Sequence, residues 1–167
     1  MSCVLRIQVM KIVSNFVVLY ENAKIMKIRF DEMEVTVLPQ FKGGEKEFAA
    51  NMFFDGTNRI FKGRLIPDAT IGMHTHDDSC EVIFILEGSG TMVEVAPQLQ
   101  PQDMSSAQPQ GQSSEAQSST GLSIQSKRVV MPVSAGDCLY CPKGHSHSLR
   151  NTAEEGNLVF YAVVPKQ

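Results

Sequence analysis

The sequence consists largely of short segments with the composition of β-strands, divided by residues that favour turns. β-Branched and aromatic residues are frequent in these segments, while Pro, Gly, Asn and Asp stand between them. No stretch repeats its apolar residues with the period of a helix. Many short strands separated by turns are typical of a sandwich or a barrel. We therefore predict an all-β protein with strands at 33–38, 49–54, 59–66, 81–87, 91–95, 128–133, 137–141, 147–151 and 158–164.

Length and charge limit the number of domains and the class of partner. The 167 residues fit one domain, and a hydrophobic content of 43% suffices for a substantial core. The formal net charge is -3, and the scattered Lys and Arg residues form no basic patch for nucleic acid or anionic lipid. The expected partner is therefore a small molecule, with no nucleic acid and no membrane.

The N-terminal sequence and the cysteines indicate a cytoplasmic protein. Residues 1–20 are fairly apolar, but Arg6, Lys11 and Asn15 interrupt them, and no small-residue cleavage site follows. The four cysteines lack the spacing of a disulfide framework. We expect neither a signal peptide nor a membrane span, and we predict a reducing cytoplasmic environment.

Two parts of the chain differ from the rest. Residues 1–25 could form strands at 4–9 and 16–20, and they are either part of the fold or an extension ahead of a domain of residues 26–167. Of the 30 residues from 97 to 126, 21 are Gln, Ser, Pro or Gly. Such a segment buries too little apolar surface to offset its ordering entropy. We predict a disordered loop inserted in the domain, with a lid over the site as the alternative.

All four histidines lie in two segments, 72–81 and 142–147. Successive side chains of a strand point to opposite faces, so His74 and His76 share one face. Glu81 lies an odd number of residues after His76, so the Asp77-Asp78-Ser79 turn must re-phase the chain to return its carboxylate to the imidazoles. Two imidazoles, a carboxylate and a further His from a later strand are a ligand set for a divalent metal.

The predicted strand 81–87 is apolar on both faces. Val82, Phe84 and Leu86 occupy one face, and Ile83 and Ile85 occupy the other. One side of this strand can line the interior of a barrel. We therefore expect a second layer or a neighbouring subunit to cover the other side.

These residues resemble the two motifs of the cupins. The first motif is a Gly, five residues, His-x-His, three or four residues, Glu, six residues and Gly; the second is a Gly, five residues, Pro-x-Gly, two residues, His, three residues and Asn. Every fixed position is matched except the leading Gly of the first motif, where Asp68 stands in a turn. The matching residues are His74, His76, Glu81, Gly88, Gly136, Pro142, Gly144, His147 and Asn151. The resemblance covers residues 59–164, and it implies a double-stranded β-helix (a jelly-roll barrel), a homodimer and a metal at the mouth of the barrel.

The resemblance implies that His74, His76, Glu81 and His147 bind the metal. Three imidazoles and one carboxylate accept iron, manganese, zinc, nickel, cobalt or copper, so the sequence does not identify the ion. The alternative is a metal-free site in which these residues hydrogen-bond one another. No catalytic residue is assigned.

Other polar residues near the motifs have less definite roles. We expect His145 to be an exposed turn residue, with an acid or base at the pocket mouth as the alternative. Asn151 is expected to brace its turn, and Arg64 and Tyr140 are weak candidates for lining the pocket. Cys138 and Cys141 should point to opposite faces of their strand, because their separation is odd.

The sequence favours a metal-dependent enzyme that acts on a small polar molecule. Similar proteins include dioxygenases, sugar isomerases, lyases and decarboxylases, and nothing in the sequence chooses among them. The alternative is a non-catalytic cupin that binds a small ligand through the same metal. A storage-type or structural protein without turnover is a third possibility.

Overall fold

The computed structural model describes residues 10–14, 17–20, 25–97 and 127–167. The strands are β1 (Met10–Ser14), β2 (Val17–Tyr20), β3 (Met26–Ile28), β4 (Thr36–Pro39), β5 (Glu47–Phe54), β6 (Arg59–Leu65), β7 (Thr70–Thr75), β8 (Glu81–Glu87), β9 (Ser89–Val95), β10 (Arg128–Ser134), β11 (Cys138–Cys141), β12 (Ser146–Arg150) and β13 (Leu158–Val164). Two short 3₁₀ turns, Phe30–Glu32 and Phe41–Gly43, are the helical elements of the described residues.

The nine segments predicted from the β-type sequence are all found as strands. The 81–87 and 158–164 segments have the predicted limits, and most of the others differ by one or two residues at an end. The largest difference is at 33–38, where the strand begins only at Thr36. The 3₁₀ turn Phe30–Glu32 precedes it, and Met33, which is buried, is the residue that ends this turn and is not part of a strand.

Two antiparallel sheets form the barrel. One has the strand order β10-β9-β12-β7, and the other has the order β11-β8-β13-β6-β5-β4. Strands that are neighbours in a sheet are mostly distant in sequence, because the chain crosses repeatedly from one sheet to the other. This arrangement is a double-stranded β-helix, so the predicted fold class is confirmed.

The core between the sheets is centred on three phenylalanines. The rings of Phe48, Phe61 and Phe160 have centroid separations of 5.8, 6.1 and 6.2 Å, and Phe160 is fully buried. Gly63 gives them room, because a Cβ there would lie 2.5 Å from a ring carbon of Phe160. Aromatic rings in contact at these distances are favourable beyond the area they bury.

β8 has one buried and one exposed face, although both are apolar. Ile83 and Ile85 are each 2% exposed, whereas Phe84 is 44% and Leu86 is 38% exposed. Within residues 25–97 and 127–167, no second layer covers Phe84 and Leu86. A neighbouring subunit on this face stays a prediction.

The N-terminal strands lie in a sheet of their own. β1, β2 and β3 pair in that order, and β3 begins at Met26. The predicted strand at 16–20 is found as β2, while the one at 4–9 lies outside the described residues. The predicted disordered insertion also lies outside them from residue 98 to residue 126, and the domain limits stay predictions. In the part of the chain that is described, no helix is long and apolar enough to cross a membrane.

Candidate metal centre

His74 and His76 point into the barrel from the end of β7. Both imidazoles belong to one cluster, whereas Thr75 between them is exposed and its hydroxyl lies 2.7 Å from the hydroxyl of Ser146. The alternation of side chains along a strand explains this arrangement. The prediction that the two histidines share a face is therefore confirmed.

The register of β12 against β7 delivers the third histidine. His147 is the direct cross-strand partner of His74, so their side chains lie on the same face of the sheet. Their ring centroids are 4.6 Å apart. A residue 73 positions further along the chain thereby joins the site.

The Asp77-Asp78-Ser79 turn re-phases the chain as the sequence requires. β8 starts at Glu81, and the carboxylate of this residue returns to the imidazoles. Its Oε2 lies 3.0 Å from Nε2 of His76 and 2.8 Å from Nε2 of His147. The four predicted residues therefore converge, with one ligand atom from each within 4.8 Å of the others.

Backbone hydrogen bonds tie the two motif segments together. The Gly144 N–H donates to the carbonyl of His76 at 2.8 Å, and the His76 N–H donates to the carbonyl of His145 at 3.1 Å. Gly144 has a φ of +82°, a conformation that glycine adopts without a steric penalty. These bonds fix the position of His76 relative to the segment that carries His147.

Hydrogen bonds on the far side of two imidazoles orient them for binding a cation. Nδ1 of His74 lies 2.9 Å from the carbonyl oxygen of Gly72, which can only accept, so this nitrogen carries the proton. Nε2 of neutral His74 is then left with its lone pair. Burial lowers the pKa of His74 and favours that neutral form. Nδ1 of His76 lies 3.0 Å from the hydroxyl of Ser79.

The charge of Glu81 is stabilised by its neighbours. Burial alone would raise its pKa, but in the absence of an ion the hydrogen bonds that Nε2–H of His147 and Nε2–H of His76 donate outweigh burial and lower the pKa to about 2. Glu81 is therefore a carboxylate although only 5% of it is exposed. A buried anion requires a cationic or hydrogen-bonding partner, and this site supplies imidazoles for that purpose.

The donor set and its spacing fit a divalent transition metal. Nε2 of His76 and Nε2 of His147 are 3.1 Å apart, and both lie within 3.0 Å of the same carboxylate oxygen. Ligands held at about 2.1 Å from an ion and at right angles are roughly 3.0 Å from one another. Without protons or a cation between them, these three atoms would present lone pairs to one point. The residues could thus hold a metal, and their roles as its ligands stay a prediction.

A cavity of about 270 Å³ opens from this cluster. Its lining includes the apolar residues Phe48, Phe61 and Ile71. Charged residues also line it, and sequence reasoning did not assign them to the site: Lys42, Arg59, Asp77 and Asp78.

Arg64 and Tyr140, the weak candidates for the pocket, do not line this cavity. Their strand neighbours Leu65 and Cys141 are buried, so alternation turns Arg64 and Tyr140 outward. Arg64 lines a separate depression with Lys62 and Glu87. Tyr140 is 61% exposed and lies at the edge of a small second cavity.

The remaining polar residues of the second motif have structural partners. Asn151 is fully buried and donates to the carbonyls of Leu65 and Gly156, so its predicted bracing role is confirmed. His145 is in a turn as predicted, but it is half-buried rather than exposed, and its Nδ1 lies 2.7 Å from Oε1 of Glu94.

The positions of Cys138 and Asp68 also agree with the sequence interpretation. Cys138 is exposed and Cys141 buried, as the odd spacing predicts, and both thiols are free. Asp68 has a φ of +66°, which explains why the family motif has Gly at this turn and why the departure leaves the four clustered residues in place.

Comparison with known proteins agrees with this architecture. Residues 52–166 match the protein-family model described as Cupin. No curated protein matches the sequence. A predicted oxalate decarboxylase from Thermotoga maritima has a TM-score of 0.58 and 23% identity, over 83% of this chain and 97% of that one.

Two further solved structures have the same fold. An RmlC-like cupin from Shewanella frigidimarina has a TM-score of 0.51 and 13% identity, over 82% of this chain and 86% of that one. A polyketide cyclase from Streptomyces resistomycificus has a TM-score of 0.52 and 16% identity, over 84% and 79%. At these identities the likeness concerns the fold alone.

Proposed function

The chain belongs to the cupin family, and we propose that it is a metal-dependent enzyme that acts on a small polar molecule. The observation that carries the proposal is the convergence of three imidazoles and one carboxylate in the lining of a cavity. His74, His76, Glu81 and His147 would hold the ion. When bound, a divalent metal polarises a carbonyl or hydroxyl group or, if it is iron, supports chemistry with dioxygen.

The rest of the cavity is suited to a molecule with one polar end. Phe48, Phe61 and Ile71 belong to its lining and offer apolar surface to the rest of a bound molecule. Lys42 and Arg59 add positive charge to the lining, and this charge suits a carboxylate or another anionic group. Asp77 and Asp78 also line the cavity and could exchange a proton with a bound molecule.

The apolar part of the lining supports a second candidate function. Eight of the 18 residues around the cavity are apolar, and a pocket with such a lining also suits a cupin that binds a small ligand through its metal without converting it. Turnover distinguishes the enzyme from the binding protein, because both functions require the metal and the cavity.

The test uses the metal-loaded protein and a panel of small hydroxy acids, keto acids, dicarboxylates and sugars. An enzyme consumes one of them with time, and the Lys42→Met and Arg59→Met variants raise its KM if the substrate is anionic. Chelator treatment should abolish turnover, and re-adding the metal should restore it. A compound that raises the melting temperature of the loaded protein but is recovered unchanged would identify the binding protein instead.

A further inference from the structure

One of the three clustered imidazoles lacks the outer hydrogen bond that the other two have. Nδ1 of His74 donates to Gly72, and Nδ1 of His76 lies against Ser79. Nδ1 of His147 has no hydrogen-bond partner. Among the described residues, it is the only buried side-chain nitrogen or oxygen without one. His147 is only 3% exposed, so bulk water does not reach this nitrogen. A buried polar atom without a hydrogen-bond partner is unfavourable, so a partner for this nitrogen is expected.

A second cavity of about 50 Å³ lies beside His147. It is separate from the 270 Å³ cavity, and His147 lines both. Its wall is largely apolar and includes Met92 and Met131, but Glu94 also lines it. A water molecule needs room of roughly 10–15 Å³ and at least two polar partners. This cavity offers the room, and His147 and Glu94 are two such partners.

The register of the sheet places Glu94 beside His147. The two residues are direct cross-strand partners on β9 and β12, so their side chains lie on the same face of the sheet. The hydrogen bond from His145 occupies Oε1 of Glu94 at 2.7 Å. A carboxylate has two acceptor oxygens, and Oε2 is left for another donor. The side chain of Glu94 is 30% exposed, although its neighbour on the same face of β9, Met92, belongs to the core.

We propose that Glu94 is a positioning residue for His147 and acts through one water molecule in the second cavity. The Nδ1–H of His147 donates to this water, and the water donates to the carboxylate of Glu94. For metal binding, the contact would hold the proton on Nδ1, so that Nε2 has its lone pair free for the ion instead of a proton shared with Glu81. His145 in turn holds the carboxylate in place. The inference rests on the proposed metal function and names a partner that His147 requires for it.

The first test is a high-resolution crystal structure of the protein purified with chelator. We expect an ordered water within hydrogen-bond distance of both Nδ1 of His147 and the carboxylate of Glu94. An empty cavity, or a water that contacts His147 but not Glu94, would overturn the proposal. This test does not depend on metal binding, so it decides the proposal even if the protein proves to bind no metal.

The second test measures metal affinity by competition with a chelator. Outer partners of metal-binding histidines typically contribute about 10–100-fold to affinity, and we expect a loss of that size in Glu94→Ala. Glu94→Gln keeps an acceptor oxygen and should recover part of the affinity. Glu87→Ala removes a carboxylate that lines a different cavity and should bind as the wild type does.

A third variant separates the effect on His147 from a merely structural effect on the neighbouring turn. His145→Ala removes the bond that holds Glu94 but leaves the carboxylate itself. Its loss of affinity should therefore be smaller than that of Glu94→Ala. Equal losses in the two variants, or no loss in Glu94→Ala, would contradict a role for Glu94 in positioning His147.

Discussion

Replacing Gly72 by Ala should disturb both the stability of the barrel and its metal centre. The segment 42–44 lies directly on β7, and a Cβ at Gly72 would be 2.1 Å from the carbonyl oxygen of Lys42. Relief of that contact requires a backbone displacement of roughly 1 Å, and overpacking of this kind costs about 1–3 kcal/mol. At a strand position with free space around it, the same change would stabilise the fold by about 0.5–1 kcal/mol. The sign of the change in stability therefore shows whether the close contact with Lys42 is present.

The displaced groups belong to the site. The carbonyl of Gly72 accepts the hydrogen bond that orients His74, and Phe41 and Lys42 line the cavity. We therefore expect Gly72→Ala to lower the melting temperature by about 2–12 °C, at roughly 2–4 °C per kcal/mol for a chain of this size. Metal affinity should fall by about tenfold or more, as it does when an outer partner of a ligand is lost.

Gly56→Ala is the matched control. Gly56 has a φ of +100°, and nothing lies within 4 Å of a Cβ built there. The variant should lose about 1–2 kcal/mol through the unfavourable backbone conformation alone, with metal affinity unchanged. Differential scanning fluorimetry and chelator competition measure both quantities. The reasoning is refuted if Gly72→Ala melts at or above the wild-type temperature, or if both variants bind metal equally well.

Three further predictions concern parts of the fold outside the metal centre. Asn151→Ala should lose about 2–4 kcal/mol in urea denaturation, because two of its hydrogen bonds serve buried or partly buried carbonyls; a loss below 1 kcal/mol would contradict the bracing role. Iodoacetamide at pH 8 should modify the exposed Cys138 but spare Cys141, whose pKa is raised to about 12 by burial and by Glu81 and Glu94; peptide mass spectrometry would show equal labelling if this were wrong. A second copy of the chain should cover the exposed apolar face around Phe84, so light scattering should report a dimer and Phe84→Ser a monomer, whereas a monomeric wild type would exclude this pairing.

The strands and the clustering of the four site residues follow from local sequence rules. Alternation places His74 and His76 on one face, and the turn residues 77–79 supply the extra residue that returns Glu81 to it. The spacing of the second motif then aligns His147 with His74 across the sheet. These rules succeed because a register error of one residue would turn every core side chain of the strand toward solvent.

The residues that line the cavity could not be assigned in the same way. Lys42 reaches it from a loop in which Gln40, Lys42 and Lys46 have positive φ, and these residue types give no sign of that conformation. Tertiary contact between residues 42–44 and β7 imposes it. Such contacts join distant parts of the chain, and no local pattern encodes them.

Other site features had a usable signal. Glu94 shares its face of β9 with the core residue Met92, and a carboxylate at a core-facing position indicates a functional or strongly paired group.

Arg64 was misassigned although alternation with Leu65 turns it outward. The exposure of His145 was misjudged because its partner Glu94 lies 51 residues away on another strand.

The central claim is that His74, His76, Glu81 and His147 hold a divalent metal, and elemental analysis of protein purified without chelators tests it most directly. We expect the wild type to retain about one transition-metal ion per chain and His76→Ala to lose it. Chelator should lower the melting temperature of the wild type but not that of the variant, because a tightly bound ion stabilises the folded state. Wild-type protein without metal, or equal metal content in the wild type and His76→Ala, would contradict the account.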